Sequence, residues 1–375
     1  MKNYMPFVRG AVVVAAALAA QLAGAAQLVI AQVAPLSGLE AIQGRAYSVG
    51  LQLAFSNANK AGGAGGHTFS LVRKDDGGRP DDTIAATTQI LGESKPIALA
   101  GFFGNRSIAE LVKSGILEKE KIALVGYRTT EMRPDVPYLY SVRAGLRDEI
   151  TKIAEHLATV GITRLGVFHE DGPGGVALTA AIDEITKKSG STITARATYP
   201  AGTARVSPAI DIFLKTPPQA IIMLATGSAA AGFIEQYRLG GGAAQLFAQS
   251  GADIEQLAQR LGEETMQGIA IAQVTPSPYK ISSRLAKEFA DTVAKTANIE
   301  VPPSYAMMEG FIAGKVIVEA ARRMGAKASR EAFVTALDTL ETDLGGYRVG
   351  FKPGMRSGSK FVELSIVTGA GKIRQ

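Results

Sequence analysis

The stretch Lys95–Ser107, KPIALAGFFGNRS, holds the residues best placed to do chemistry. Pro96 closes off a preceding helix, and the apolar run Ile97–Ala100 predicts a strand buried on both faces. Gly101-Phe102-Phe103-Gly104 predicts a sharp turn, after which Asn105 or Ser107 is suited to cap a helix running to about Gly115. The first N–H groups of such a helix have no partners within it and point into the crevice at the strand end. That corner suits a small polar or anionic ligand, or it is an ordinary turn of an α/β protein. A second polar turn, Gly126-Tyr127-Arg128-Thr129-Thr130, follows the predicted strand Ile122–Val125. Arg128 is either a planar cationic donor beside a pocket or a side chain snorkelling out of its turn. Phe102 and Phe103 can pack on an apolar ligand body. Successive strand-end side chains point opposite ways, so at least one of the two belongs to the core.

Covalent and metal chemistry find less support. The chain contains no GxSxG, HExxH or phosphate-loop sequence. Its three histidines are far apart, and His169 sits at a strand exit, where a turn role is sufficient. Glu170 and Asp171 are adjacent and therefore face different ways. Cysteine is absent, which removes disulfides, thiolate metal sites and a cysteine nucleophile. No catalytic residue, metal ligand or cofactor is assigned. A hydrolase on this framework would lack a nucleophile–base pair.

The elements that position these turns alternate regularly. Strands are predicted at Gln27–Ala34, His67–Arg73, Ile97–Ala100 and Ile122–Val125, separated by helices over Gln43–Asn59 and Pro80–Leu91. The glycine run at 62–66 follows a helix and precedes a strand, the order of a helix stop. After a helix over Arg147–Val160 the alternation restarts, with strands at Leu165–Phe168, Thr192–Tyr199, Ala220–Ala225, Leu246–Ala248 and Ile269–Val274. Three further helices and two terminal strands, near Tyr347–Phe351 and Lys360–Val367, end the chain. Asp253 is placed to cap the helix that follows it. Repeated βα units imply parallel sheets with helices on both faces and ligands at the strand C-termini. Two such blocks place a natural site in the cleft between them.

With 375 residues, 46% hydrophobic and 20% charged, the chain is long enough for two α/β domains without disulfides. Lys2 and Arg9, the apolar Gly10–Ala20 and the small residues Ala23-Gly24-Ala25 form the pattern of a cleaved secretory leader, residues 1–26. The expected location is the periplasm. The formal charge of +6 is scattered, without the basic run of a nucleic-acid arm.

Ile30–Gly38 (IAQVAPLSG), Asn59–Gly66 (NKAGGAGG), Asp75–Pro80 (DDGGRP), Gly101–Ser107, Val125–Glu131 and Val167–Asp171 (VFHED), with the leader, resemble one family over essentially the whole mature chain. It is the type I periplasmic binding proteins of the Leu/Ile/Val-binding class, the solute receptors of branched-chain amino acid and amide ABC importers. The resemblance implies an α/β fold of two doubly wound parallel-sheet lobes joined by a three-segment hinge. Lobe one would be 27–141 plus 275–347, and lobe two 142–274 plus 348–375. The crossings would fall near Val142–Gly145, Ala272–Pro276 and Arg348–Gly354. It implies closure on a small-molecule ligand and delivery to an inner-membrane ABC permease, with a periplasmic sensor on the same fold as the alternative.

The resemblance also places the site. Asn105 and Thr129 match positions that hold a ligand carboxylate. Gln43 stands where a tyrosine is usual, Pro173-Gly174-Gly175 and Gly227-Ser228 stand where others are common, and the acid for a ligand ammonium would fall near Ser250-Gly251. No carboxylate stands there, which disfavours a ligand amine, since a buried ammonium needs acceptors. The expected ligand-binding set is Gln43, Phe103, Asn105, Arg128, Thr129, Thr130, Ser228 and Ser250, for an organic acid, amino acid or amide. Gly78 and Gly104 occupy the positions of a disulfide found in some members.

Overall fold

A computed structural model describes residues 26–129, 133–172, 175–368 and 373–374. The leader and Thr130 lie outside the described residues, apart from Ala26. The first sheet contains β1 (Ala26–Ala34), β2 (His67–Asp75), β3 (Ala98–Phe103), β4 (Ala123–Arg128) and β5 (Leu139–Tyr140), in the order β2-β1-β3-β4-β5 and all parallel. Helices α1 (Ala41–Lys60), α2 (Pro80–Ser94), α3 (Asn105–Lys113) and α4 (Ile116–Lys119) lie between these strands in sequence. Every residue of β3 and β4 is buried, as a central parallel strand requires.

The second block contributes β6 (Arg164–Asp171), β7 (Thr192–Pro200), β8 (Ala220–Leu224), β9 (Gln245–Ala248) and β10 (Ala270–Gln273), which pair in parallel. Helices α5 (Leu146–Thr159), α6 (Gly175–Lys188), α7 (Ser207–Lys215), α8 (Gly227–Leu239) and α9 (Ile254–Met266) accompany them. The chain continues through α10 (Arg284–Ala294), α11 (Tyr305–Met324), α12 (Arg330–Asp338) and a small antiparallel pair, β11 (Glu341–Asp343) with β12 (Arg348–Gly350). Then β13 (Glu363–Val367) adds antiparallel to β10, and β14 (Ile373–Arg374) to β13.

Helix α11 returns to the first sheet and packs against α1. Its residues Tyr305–Gly314 are buried all round, so that stretch is core, and its one charged residue is Glu309. The two helices touch backbone to backbone. A Cβ on Gly310 would stand 2.2 Å from the Tyr47 carbonyl oxygen, and one on Gly50 2.1 Å from that of Met307. Glycine at both positions permits this approach and brings Glu309 to the sheet edge where Arg128 ends β4.

Three local expectations are corrected. The turn does not begin at Gly101: β3 runs on through Phe103, and the chain turns at Gly104, at φ 91°. Neither Asn105 nor Ser107 caps α3. Gly104 takes the N-cap position without a side-chain bond, Asn105 is the first helical residue, and Ser107 Oγ accepts a bond from Thr83. The third crossing does not fall at Arg348–Gly354. Tyr347, Val349 and Phe351 are buried with Ile30, Val125 and Phe311, and Ser141 pairs with Ser357. Residues 347–358 therefore pack on the first sheet's side.

The crossings meet at Tyr347. Its hydroxyl lies 2.9 Å from the carbonyl oxygens of both Val142 and Val274. The one phenolic proton is shared between two of the segments that pass between the sheets.

Candidate functional site

The ends of β3 and β4 form one wall of the cleft. Phe103 is paired in register with Arg128, and the Gly104 N–H donates to the Arg128 carbonyl at 2.9 Å. Asn105 Oδ1 accepts the Thr129 hydroxyl. Arg128 does not snorkel: it is 7% exposed. Its guanidinium lies over the Phe103 ring, 5.7 Å from the centroid, and its Nη1 donates to Gln43 Oε1 at 2.6 Å. Phe103 also meets Tyr47 edge-on, whereas Phe102 is buried in the cluster on the sheet's other face.

The first turn of α9 forms the opposite wall. Asp253 Oδ1 accepts the Gln256 N–H at 2.9 Å and caps the helix as expected. Its Oδ2 lies 3.9 Å from Arg128 Nη1, and both side chains are almost fully buried. Gln256 Oε1 accepts a bond from Gln43 at 3.2 Å. Glu255 accepts the Tyr279 hydroxyl at 2.6 Å and the Tyr305 N–H at 2.8 Å.

A chain of buried charges closes the base. Glu309 Oε2 lies 3.2 Å from Arg128 Nε and 3.7 Å from Arg143 Nη1. Arg143 Nη2 donates to Glu149 at 2.9 Å and to the Ser250 hydroxyl. Glu149 in turn accepts the Ser250 N–H at 2.6 Å and its hydroxyl at 3.0 Å. Arg143 sits in the first crossing, Glu149 on α5 and Glu309 on α11, so one guanidinium ties both lobes to the hinge.

Burial and pairing compete here. Burial raises the Glu149 carboxyl above its ordinary range, although Arg143 and Ser250 oppose it. Burial alone would lower Arg143, but Glu309 and Glu149 outweigh it and hold the guanidinium charged. Burial likewise raises Glu40, with Arg128 opposing and Asp76 and Asp253 adding to it. Glu255 is pushed up to about 7 by burial and by Asp253, against bonds from Tyr279 and Tyr305. Several buried polar atoms at the base have no hydrogen-bond partner among the described residues: Tyr47 Oη, Glu309 Oε1, Arg143 Nε and Gln273 Nε2.

Of the expected site residues, Gln43, Phe103 and Arg128 form one cluster, with Asn105 and Thr129 bonded together beside it. Ser250 is buried and joins the Arg143–Glu149 pair. Ser228, in the first turn of α8, is exposed and shares none of these contacts. The sequence places no carboxylate at Ser250-Gly251, but in the fold Glu149 reaches Ser250 from α5, where it is also paired with Arg143. Arg143, Glu149, Asp253, Glu255 and Glu309 were not expected as site residues. The one local signal was a lone acid, Glu309, inside the otherwise uncharged first half of α11, Tyr305–Gly314.

Two α/β lobes joined by crossings, with charged groups from both meeting at the strand ends, define a solute-binding fold. Residues 27–360 match the family model for periplasmic binding proteins, and the chain belongs to that family, in its type I, Leu/Ile/Val-binding class. It is 23% identical over 367 residues to Leu/Ile/Val-binding protein homolog 7 of Brucella suis biovar 1, covering 90% of this chain and 88% of that protein. A substrate-binding periplasmic protein from Ralstonia solanacearum is 34% identical, with a TM-score of 0.83 over 93% of this chain and 99% of that one. The fold is shared with a solute-binding protein from R. palustris in complex with benzoate, at 16% identity and a TM-score of 0.76, over 93% of this chain and 95% of that one.

Proposed function

We propose that the mature chain is the periplasmic receptor of an ABC importer. It captures a small organic acid, amino acid or amide between two lobes and presents the closed complex to a membrane permease. Residues 1–26 serve as the cleaved leader. Lobe one comprises 27–141 and 275–358, and lobe two 142–274 with the terminal strands. The observation that carries this reading is the pair Arg128 and Asp253, one from each wall, buried 3.9 Å apart across the cleft. That separation is too long for a direct hydrogen bond, so a ligand with an acceptor and a donor gains by bridging the two. Asp253 and Glu149 readmit ligand amines, which the sequence alone disfavoured. The R. palustris neighbour's benzoate supports the acid end of the range.

Native mass spectrometry of protein purified without added ligand, before and after mild denaturation, identifies any retained compound. Thermal shift then ranks acids, amino acids and amides. A ligand at about a hundred times its Kd stabilises the fold by roughly 2.7 kcal/mol. The expected result is a rise in Tm that Arg128→Met abolishes. A panel of all three classes that leaves Tm unmoved overturns the ligand class. Uptake that persists in cells lacking the protein overturns the transport role.

A further inference from the structure

The two lobes also touch through a pair of amides. Gln43 of α1 and Gln256 of α9 stand 213 residues apart, and Gln43 Nε2 donates to Gln256 Oε1 at 3.2 Å. Their neighbours belong to different cores. Ala46 and Tyr47, beside Gln43, are buried with the first sheet, whereas Ile254 and Leu257, beside Gln256, are buried with the second. Each end of the bond is held in place. Arg128 Nη1 donates to Gln43 Oε1 at 2.6 Å, and Arg128 is itself fixed over the Phe103 ring with its Nε 3.2 Å from Glu309 Oε2. The Gln256 N–H is held by the Asp253 cap at 2.9 Å.

The order of these groups fixes which way each amide faces. A guanidinium only donates, so Gln43 turns its oxygen toward Arg128. Its nitrogen is then the atom left for α9, and Gln256 answers with its oxygen. A reversed Gln43 would set donor against donor. The donor that lobe two meets is therefore aimed from within lobe one. We propose that Gln43 and Gln256 form a latch that positions the lobes, so that the closed form gains from their bond before any ligand bridges Arg128 and Asp253. The proposal rests on the hinge-closure reading above. It moves Gln43, expected from the sequence to touch the ligand, to a contact between the lobes.

The latch biases closure without deciding it. Opening exchanges one amide–amide bond for bonds to water, so the net gain is that of a single neutral hydrogen bond, about fivefold in the closed-to-open ratio. A ligand that bridges charged groups adds more. Removing the Gln256 amide takes away only the bond between the lobes. Removing the Gln43 amide also takes an acceptor from Arg128, which is buried in the closed form, and so costs more. Because both glutamines act through one bond, their losses do not multiply.

The chain has no cysteine, so Lys60→Cys on lobe one and Leu239→Cys on lobe two, both exposed, give two unique dye positions. Single-molecule energy transfer between them reads the open and closed populations of the full mature chain, freed of any retained compound by mild denaturation and refolding. Relative to this dye-bearing parent, Gln256→Met should lower the closed-to-open ratio about fivefold. Gln43→Met should lower it further, and the double variant should fall no lower than Gln43→Met alone. A parent found only open, or single variants that keep the parent's populations, overturn the latch and leave ligand-driven closure standing. A double variant whose fall is the product of the two single falls also overturns it, because each glutamine would then act alone. One transfer efficiency that neither the variants nor the panel of acids, amino acids and amides can move overturns closure itself, and the latch with it.

Discussion

Arg143 and Arg147 stand four residues apart around the start of α5, and each meets a glutamate. Arg143 lies 2.9 Å from Glu149, with the side chains 4% and 2% exposed. Arg147 lies 2.5 Å from Glu184 on α6, at 52% and 47%. The surface pair is the closer contact, yet distance does not decide its worth. Water already solvates both partners at the surface, so pairing exchanges one good environment for another. In the cleft both partners are buried, so solvent does not readily replace a missing one. Each buried charge there depends on the others, and Arg143 serves Glu149, Glu309 and Ser250 together.

The largest expected effect is therefore at Arg143. Arg143→Met keeps most of the volume, strands Glu149 and takes from Glu309 the more distant of its two guanidinium partners. The expected loss is about 3–5 kcal/mol, read from urea unfolding. Adding Glu149→Gln and Glu309→Gln removes the charges that lose a partner and should recover a large part of it. If the triple variant is as unstable as the single, packing and not charge is what Arg143 supplies. A loss of under about 1 kcal/mol in the single variant would place the buried pair in the same class as the surface one.

A neutral buried contact should fall between these extremes. The Tyr347 hydroxyl bonds one or the other of two crossing carbonyls. Tyr347→Phe removes it without changing shape and leaves both oxygens short of a donor, at a cost of roughly 1–2 kcal/mol. Because Val142 and Val274 belong to different crossings, the variant should also broaden the lobe-to-lobe distance distribution read by energy transfer between dyes at Lys60→Cys and Leu239→Cys, both exposed positions in a chain without cysteine. A stability loss with an unchanged distribution would make Tyr347 a core residue with no part in the hinge.

The same contrast separates what was legible in the sequence from what was not. The β3–α3 corner was readable because its signals are local: an apolar run, glycine at 104 and a polar residue just after. Arg128 and Thr129 followed from the same rule at the next strand end. The buried charges obey no local rule. Glu149 meets Ser250 across 101 residues, and Gln43 meets Gln256 across 213, so only the folded topology joins them. No acid stands beside Ser250 in the sequence for this reason, and the carboxylate that meets it arrives from α5. The third crossing was misplaced by a related effect. Val349 and Phe351 look like a strand leaving the first lobe, but Leu340 bonds Phe351 and holds it in that lobe's core.

The smallest expected effect is at the surface pair, and it makes the comparison quantitative. Glu184 bonds both Arg147 and Lys188, which together hold its carboxyl down at about 2. A depressed acid contributes stability above its unfolded value, and that contribution fades as pH falls toward 2. The group lies at the surface, so solvent and salt screen nearly all of it. Arg147→Ala should leave the neutral-pH Tm within measurement error, and 1 M salt should erase any residual difference. Arg143→Met should keep its full deficit in the same salt, because ions do not enter the closed cleft. Equal salt sensitivity in the two variants would mean that water and ions reach Arg143. The cleft base would then be an open channel, and the requirement that Arg143, Glu149 and Glu309 balance one another would disappear.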